Sequence, residues 1–272
     1  MYRLIACDLD QTLLSDDRSV SDLNTKAITK LKELGIKFVI ATGRGFQSVQ
    51  TVLTDIDLND KLDEYVISLN GAIITENHRN RIISFTPIAE ESIEPLLAYG
   101  ADQKLDMHVY TQDDVYVINL RQADKEYLDK RIEYNEIQQT QLAAIKKMPI
   151  AKIIYYYSSE AQKQQIITDI NPITQDKVAV SFSSGHYVEL NHLSVDKGSG
   201  LIKLAALLNI PLSQTMAIGD NFNDLSMITV AGLGISVGNG QEAIKKIADY
   251  VCVADNNQDA ISEVLERFIY QR

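Results

Sequence analysis

One short apolar run stops abruptly at two acids, and the rest of the chain is read outward from it. Leu4-Ile5-Ala6-Cys7 leads directly into Asp8-Leu9-Asp10-Gln11-Thr12-Leu13-Leu14. Four apolar residues bounded by acids and turn formers read as a buried strand of a parallel sheet. Ligand sites in open α/β sheets lie outside the carboxyl ends of the strands, which is where Asp8 and Asp10 fall. An extended chain has a period of two, so both side chains point the same way. Two like charges this close need help: either a cation neutralises them or one keeps its proton.

The neighbouring elements support a parallel sheet. Ser21 is placed to cap a helix over Leu23 to Leu34, with Ile28, Leu31 and Leu34 on one face and Gly35 as its stop. Lys37 to Ala41 is a second strand, ending in Thr42-Gly43-Arg44-Gly45 and a helix from Phe46 to about Thr54. This is a βαβ rhythm. From Tyr65 to Phe85 the chain reads as strands joined by tight turns, one of them at Asn70-Gly71.

Beyond Pro87 the rhythm changes to mixed hairpins and helices, which do not continue a doubly wound sheet. The expected elements are helices at 90–103, 123–134 and 160–170, and strands at 107–111, 115–120, 152–157, 178–183 and 187–190. Residues 86–187 are therefore expected to form an α+β cap domain inserted between core segments 1–85 and 188–272. The βαβ rhythm then returns, with a helix at 199–208 and a strand at 214–218 that ends in Gly219-Asp220-Asn221-Phe222-Asn223-Asp224. The fold class is α/β, a Rossmann-like doubly wound core with an inserted cap.

Net charge narrows the partners. At −11 over 272 residues the chain has no basic stripe for a nucleic-acid backbone. A small phosphorylated ligand is still allowed, because a bound divalent cation reverses the local field. No run approaches the ~18 apolar residues that span a membrane, and no signal peptide is visible, so the expected location is cytoplasmic. No obligate protein partner is evident. Cys7 and Cys252 sit in apolar strand-like runs and read as small buried hydrophobes.

Taken singly, Thr42 reads as a helix cap, Lys197 as a surface lysine, and Asp220 and Asp224 as acids of a first helical turn. Strand ends of a parallel sheet converge, however, so these groups meet Asp8 and Asp10 in one crevice. Clustered carboxylates beside a phosphate suit Mg²⁺. An amine and a helix N-terminus suit an oxyanion. Together they are the equipment of phosphoryl transfer.

The pattern Asp-x-Asp-x-Thr-Leu, Thr-Gly-Arg, a lysine ahead of a helix, and Gly-Asp-x-x-Asn-Asp resembles the haloacid dehalogenase superfamily, and the large insert resembles its Cof-type branch. The resemblance spans the whole chain. It implies a phosphatase of small phosphorylated metabolites, such as sugar phosphates, in which Asp8 attacks phosphorus and Asp10 serves as acid and base. It further implies Mg²⁺ held by Asp8, the Asp10 carbonyl and Asp220, with Asp224 in support. Thr42, the Gly43 amide, Lys197 and Asn223 would hold the phosphate, with Arg44 and Asn70 near the substrate. One departure is Gln11, where the family has glycine; a glutamine there needs negative φ or is strained. A mutase on the same core, a phosphosugar-binding regulator without turnover, and a receiver-type signalling domain are the competing readings. In the insert, Tyr110, Tyr116, Tyr155, Tyr156 and Tyr157 follow strand propensity, and His108 and His186 are candidates for substrate contact.

Overall fold

Strand β1 (Leu4–Cys7) has no solvent-exposed side chain and lies at the centre of a large sheet. The coordinates are a computed structural model, which describes residues 1–175 and 177–271. Helix α1 (Asp22–Lys30) follows, with Ser21 Oγ accepting from the Asn24 amide, and continues as a 3₁₀ turn to Leu34. Gly35 ends it at φ +66, the left-handed conformation that glycine adopts without strain. Ile28 and Leu31 are buried as expected, whereas Leu34 is exposed.

The chain then forms β2 (Lys37–Ala41), α2 (Gln50–Asp55), β3 (Tyr65–Ser68), β4 (Ile73–Glu76) and β5 (Arg81–Phe85). The insert supplies α3 (Glu90–Asp102), β6 (Met107–Thr111), β7 (Val115–Ile118), α4 (Gln122–Leu128), β8 (Asn135–Ile137), α5 (Leu142–Ile145), β9 (Ile150–Tyr156), α6 (Glu160–Thr174), β10 (Val178–Ser183) and β11 (Tyr187–His192). The last segment contains α7 (Lys197–Leu207), β12 (Thr215–Gly219), α8 (Leu225–Val230), β13 (Leu233–Ser236), α9 (Glu242–Ile247), β14 (Tyr250–Val251) and α10 (Ala260–Leu265).

Two compact units result: Met1–Ser84 together with the chain from Asp196 onward, and Phe85–Val195. The first holds an eight-stranded sheet in the order β14-β13-β12-β1-β2-β3-β4-β5. From β14 to β3 all pairings are parallel, and β4 is antiparallel to β3. The chain proceeds from β1 to β2 and β3 on one side, and resumes at β12 on the other. The order therefore reverses at β1, the kind of switch point where such sheets bind ligands. Leu4, Ala6, Val39, Ala41 and Ala217 turn to one face, where they pack with Leu201 and Leu204 of α7 and Met227 of α8.

The second unit is a six-stranded sheet, β10-β11-β9-β6-β7-β8, antiparallel except for β7 beside β8. Alternate residues (Met107 and Val109, Ile153 and Tyr155, Val188 and Leu190) join one hydrophobic core with Leu96 of α3 and Ile166 of α6. Tyr155 is wholly buried and donates to the Leu96 carbonyl at 2.7 Å. Strand β8 was not expected. Its residues Asn135 and Glu136 are exposed, so no apolar alternation announces it. His108 is entirely enclosed within the insert, which removes it from substrate contact. His186 packs edgewise on Tyr127 and Tyr187.

Gly71 shows how tightly the core unit is built. Its φ is +100, and a Cβ there would sit 2.4 Å from the Asp196 carbonyl oxygen. Gly71→Ala should therefore cost about 2–4 kcal/mol through backbone strain and overpacking. Urea unfolding would show this as a lower midpoint at unchanged slope, and an unchanged midpoint would contradict it.

Candidate active site

The site is assembled at the switch point, from three parallel strand ends and the start of α7. Asp8 directly follows β1, and its amide still donates to Ile218 of β12 at 2.9 Å. That bond continues the strand geometry one residue further and fixes where the carboxylate emerges. Asp8 is 6% exposed.

Lys197 is the first residue of α7 and is fully buried. Its Nζ touches Asp8 Oδ1 and lies 2.6 Å from Asp224 Oδ1. Local sequence explains this placement. Asp196 caps α7 by accepting from the Ser199 amide at 2.7 Å, while Ser199 Oγ accepts from the Asp196 amide at 3.0 Å, a reciprocal cap. A Cβ on Gly198 would lie 2.7 Å from backbone atoms of Ser226, and one on Gly200 would lie 2.7 Å from Ile67 Cγ2. Glycine at both positions lets the helix start press against α8 and the face of the sheet and carry Lys197 inward.

Asp224 is held just as firmly. Its Oδ2 accepts from the amides of Asp220 and Asn221, each at 3.0 Å. Gly219 makes that possible, because a Cβ there would come within 2.6 Å of three Asp224 side-chain atoms. Asp220 Oδ1 accepts from Thr12 Oγ1 at 2.9 Å. Thr12 is a site residue to which the sequence reading gave no role. Its signal was its place in Asp-x-Asp-x-Thr, two positions beyond Asp10.

Three carboxylates are buried around a single ammonium, which contacts two of them, Asp8 and Asp224. Burial, then repulsion from Asp224, pushes the Asp8 carboxyl well up despite Lys197. The same two causes push Asp220 up to about 6, opposed by the Thr12 hydroxyl. Burial works against the charge on Lys197, but Asp224 and Asp8 together hold its pKa above the ordinary lysine value. Burial also raises the Cys7 thiol, so it is no thiolate nucleophile.

Oxygens of Asp8, Asp220 and Asp224 lie within 4.8 Å of one another. Nitrogen donors take both oxygens of Asp224, so Asp8 and Asp220 are the acids left to face a cation. A divalent ion beside them would offset the surplus of negative charge, and all-oxygen donors suit a hard one. The residues fit a Mg²⁺ site.

Asp10 is exposed and takes a two-point contact from Arg44: Nε to Oδ2 at 2.8 Å, and Nη2 to Oδ1. Arg44 is thus tied to Asp10. Thr42 is buried beyond β2, beside β1, and its Oγ1 accepts from the Arg44 amide at 3.1 Å. Gly43 is the next residue along. The Asn70 amide donates to the Thr42 carbonyl at 2.9 Å, with Asn70 itself at φ 56. Asn223 is exposed on the turn between β12 and α8 and makes no hydrogen bond to the carboxylates. Gln11 takes the strained alternative, at φ 61.

The chain is similar to known proteins along nearly its whole length. The family described as haloacid dehalogenase-like hydrolase matches residues 5–265. The chain is 27% identical to the putative phosphatase YxeH of Bacillus subtilis, over 99% of each chain. It is 26% identical to the 5-amino-6-(5-phospho-D-ribitylamino)uracil phosphatase YcsE of the same organism, over 98% of this chain and 96% of that one. A crystal structure of a haloacid dehalogenase-like hydrolase from Bacteroides thetaiotaomicron superposes with a TM-score of 0.87 at 25% identity, covering 99% of this chain and 100% of that one.

Lys197→Met leaves Asp8 and Asp224 buried without their counter-ion and should destabilise the chain by about 3–5 kcal/mol at pH 8. Without the ammonium the folded carboxyls bind protons more tightly than the unfolded ones, so the loss shrinks as pH falls toward 5. Urea unfolding at both pH values tests this; a loss of equal size at each would contradict it. Gln11→Gly should stabilise by up to about 1 kcal/mol by relieving the left-handed backbone, less the glycine entropy cost. A lower melting temperature for this variant would contradict the strain.

Proposed function

Because the chain belongs to the haloacid dehalogenase-like hydrolase family, and is a phosphatase within it, we propose that it hydrolyses small phosphomonoesters through a phosphoryl group carried on Asp8. The observation that carries this reading is the buried Lys197 ammonium shared by Asp8 and Asp224 at the sheet's switch point.

Lys197 works against the burial and repulsion that raise the Asp8 carboxyl, and together with a cation at the site it would hold Asp8 ionised with one oxygen aimed out of the strand end. That oxygen forms a bond to phosphorus as the ester P–O bond breaks, and Asp10 gives its proton to the departing alkoxide. Asp10 then takes a proton from water, the water oxygen bonds to phosphorus, and the bond from phosphorus to Asp8 breaks to release inorganic phosphate. Asp8, Asp220 and the Asp10 carbonyl would hold Mg²⁺, which would supply charge neutralisation for the transferring oxygens. Asp224 holds the Asp220 loop in place through two amides. Thr42, the Gly43 amide and Asn223 donate to the phosphate, and Asn70 lies at the substrate's edge. Arg44 positions Asp10 in the free chain and meets the substrate when Asp10 turns to it.

Sugar phosphates or similar small esters are the substrate class. Support comes from the relatives' phosphatase names, one of which specifies a phosphoribitylamino-uracil, and from a net charge that disfavours nucleic acid. Among the described residues no helix is long and apolar enough to cross a membrane. We place the enzyme in the cytoplasm.

With p-nitrophenyl phosphate and Mg²⁺, Asp8→Asn should abolish turnover while the melting temperature holds. Asp10→Ala should lose about 10²–10⁴-fold in rate. Near-normal rates in either variant would refute its assigned role. Mg²⁺ should raise the melting temperature more at pH 7.5 than at pH 5, since protons compete for the raised carboxyls. Asp220→Asn should abolish that rise, and a rise that survives the substitution would place the ion elsewhere.

A further inference from the structure

The insert contains a second cluster of ligand-type groups that the phosphatase reading leaves unused. Asp106, His108 and Asp124 are all at most 1% exposed, and one ligand atom from each lies within 4.8 Å of the others. His108 Nε2 lies 2.6 Å from Asp124 Oδ2 and 3.4 Å from Asp106 Oδ1. Two carboxylate oxygens therefore face one ring nitrogen, which can donate at most a single proton. The shortfall is visible: Asp106 Oδ1 is buried, points at His108 and accepts no hydrogen bond. A buried acceptor without a donor is rare enough in folded proteins to need an explanation, and a missing ion is one of the standard ones.

The oxygens turned away from the cluster are each held. Asp106 Oδ2 accepts from the Arg121 amide at 2.8 Å, and Asp124 Oδ1 accepts from the Tyr187 hydroxyl. That is how outer-layer donors commonly fix ligating carboxylates. We propose that Asp106, His108 and Asp124 form a second divalent-metal site within the insert, suited to Zn²⁺. An imidazole with two carboxylates selects a borderline ion such as zinc over Mg²⁺, which prefers oxygen alone. The site is buried and links the residue before β6 to α4, and through Tyr187 to β11; its three protein ligands leave the fourth position of a tetrahedral ion to water. It does not depend on the phosphatase reading, because none of its residues belongs to the core unit.

The test uses the full chain stripped of metal and dialysed against limiting Zn²⁺ with Mg²⁺ in excess. Asp220→Asn, which removes the core cation site, is run in parallel. About one zinc per chain is expected in both, with binding lost in Asp106→Asn and in His108→Gln, and weakened about 10–100-fold in Tyr187→Phe. Absence of zinc from Asp220→Asn would overturn the proposal, as would its retention in both Asp106→Asn and His108→Gln. Should those variants fail to fold, crystals of the unaltered chain settle the matter. Anomalous scattering at the zinc edge should peak between His108 Nε2 and the two carboxylates, and a map empty there would overturn the site.

Discussion

A lysine with no solvent exposure must have its charge answered inside the protein, and Lys197 is answered by Asp8 and Asp224. Burial of an isolated ammonium costs several kcal/mol, so this pairing constrains everything around it. It requires the end of β1, the start of α7 and the turn after β12 to meet within a few ångströms. The same contact that satisfies the lysine orients the Asp8 carboxyl and opposes the burial that would keep it protonated. Fold stability and site geometry are here one interaction.

The meeting is permitted by small residues and fixed by caps. Gly71, Gly198 and Gly200 let α7 approach backbone closely, and Gly219 leaves room for the Asp224 carboxylate. Reciprocal capping between Asp196 and Ser199 sets the first turn of α7. Asn221 and Asp224 do the same for the turn after β12. A further hydrogen bond, from Asn239 to the Gln11 carbonyl at 2.8 Å, ties down the left-handed residue that follows Asp10. A strained conformation persists only where the surroundings determine it, and here they do so beside the residue assigned to acid–base work.

Much of this was legible in the sequence. The strands at Lys37–Ala41, Met107–Thr111 and Val178–Ser183 fall where apolar runs placed them, and Gly35 stops its helix as expected. Buried strands and glycine stops leave local marks. Convergence of Asp8, Lys197, Asp220 and Asp224 was readable because parallel strand ends must share one side of a sheet. Less legible was what depends on distant partners. Thr12 gained its role from Asp220, 208 positions away. Arg44, expected near the substrate, contacts Asp10 through a pairing no periodicity encodes. The polar cluster of the insert joins residues 106, 108, 124 and 187, which no spacing rule would gather. Short elements such as β8 and α5 were too polar or too brief to show a period.

The claim on which the rest depends is that Asp8 carries the phosphoryl group. Rapid-quench turnover of a phosphomonoester with Mg²⁺, followed by peptide mapping in the mass spectrometer, addresses it directly. The account predicts a transient phosphate adduct on the peptide that contains Asp8, formed and lost within the turnover time. Steady product release with no adduct at Asp8 at any quench time would contradict it.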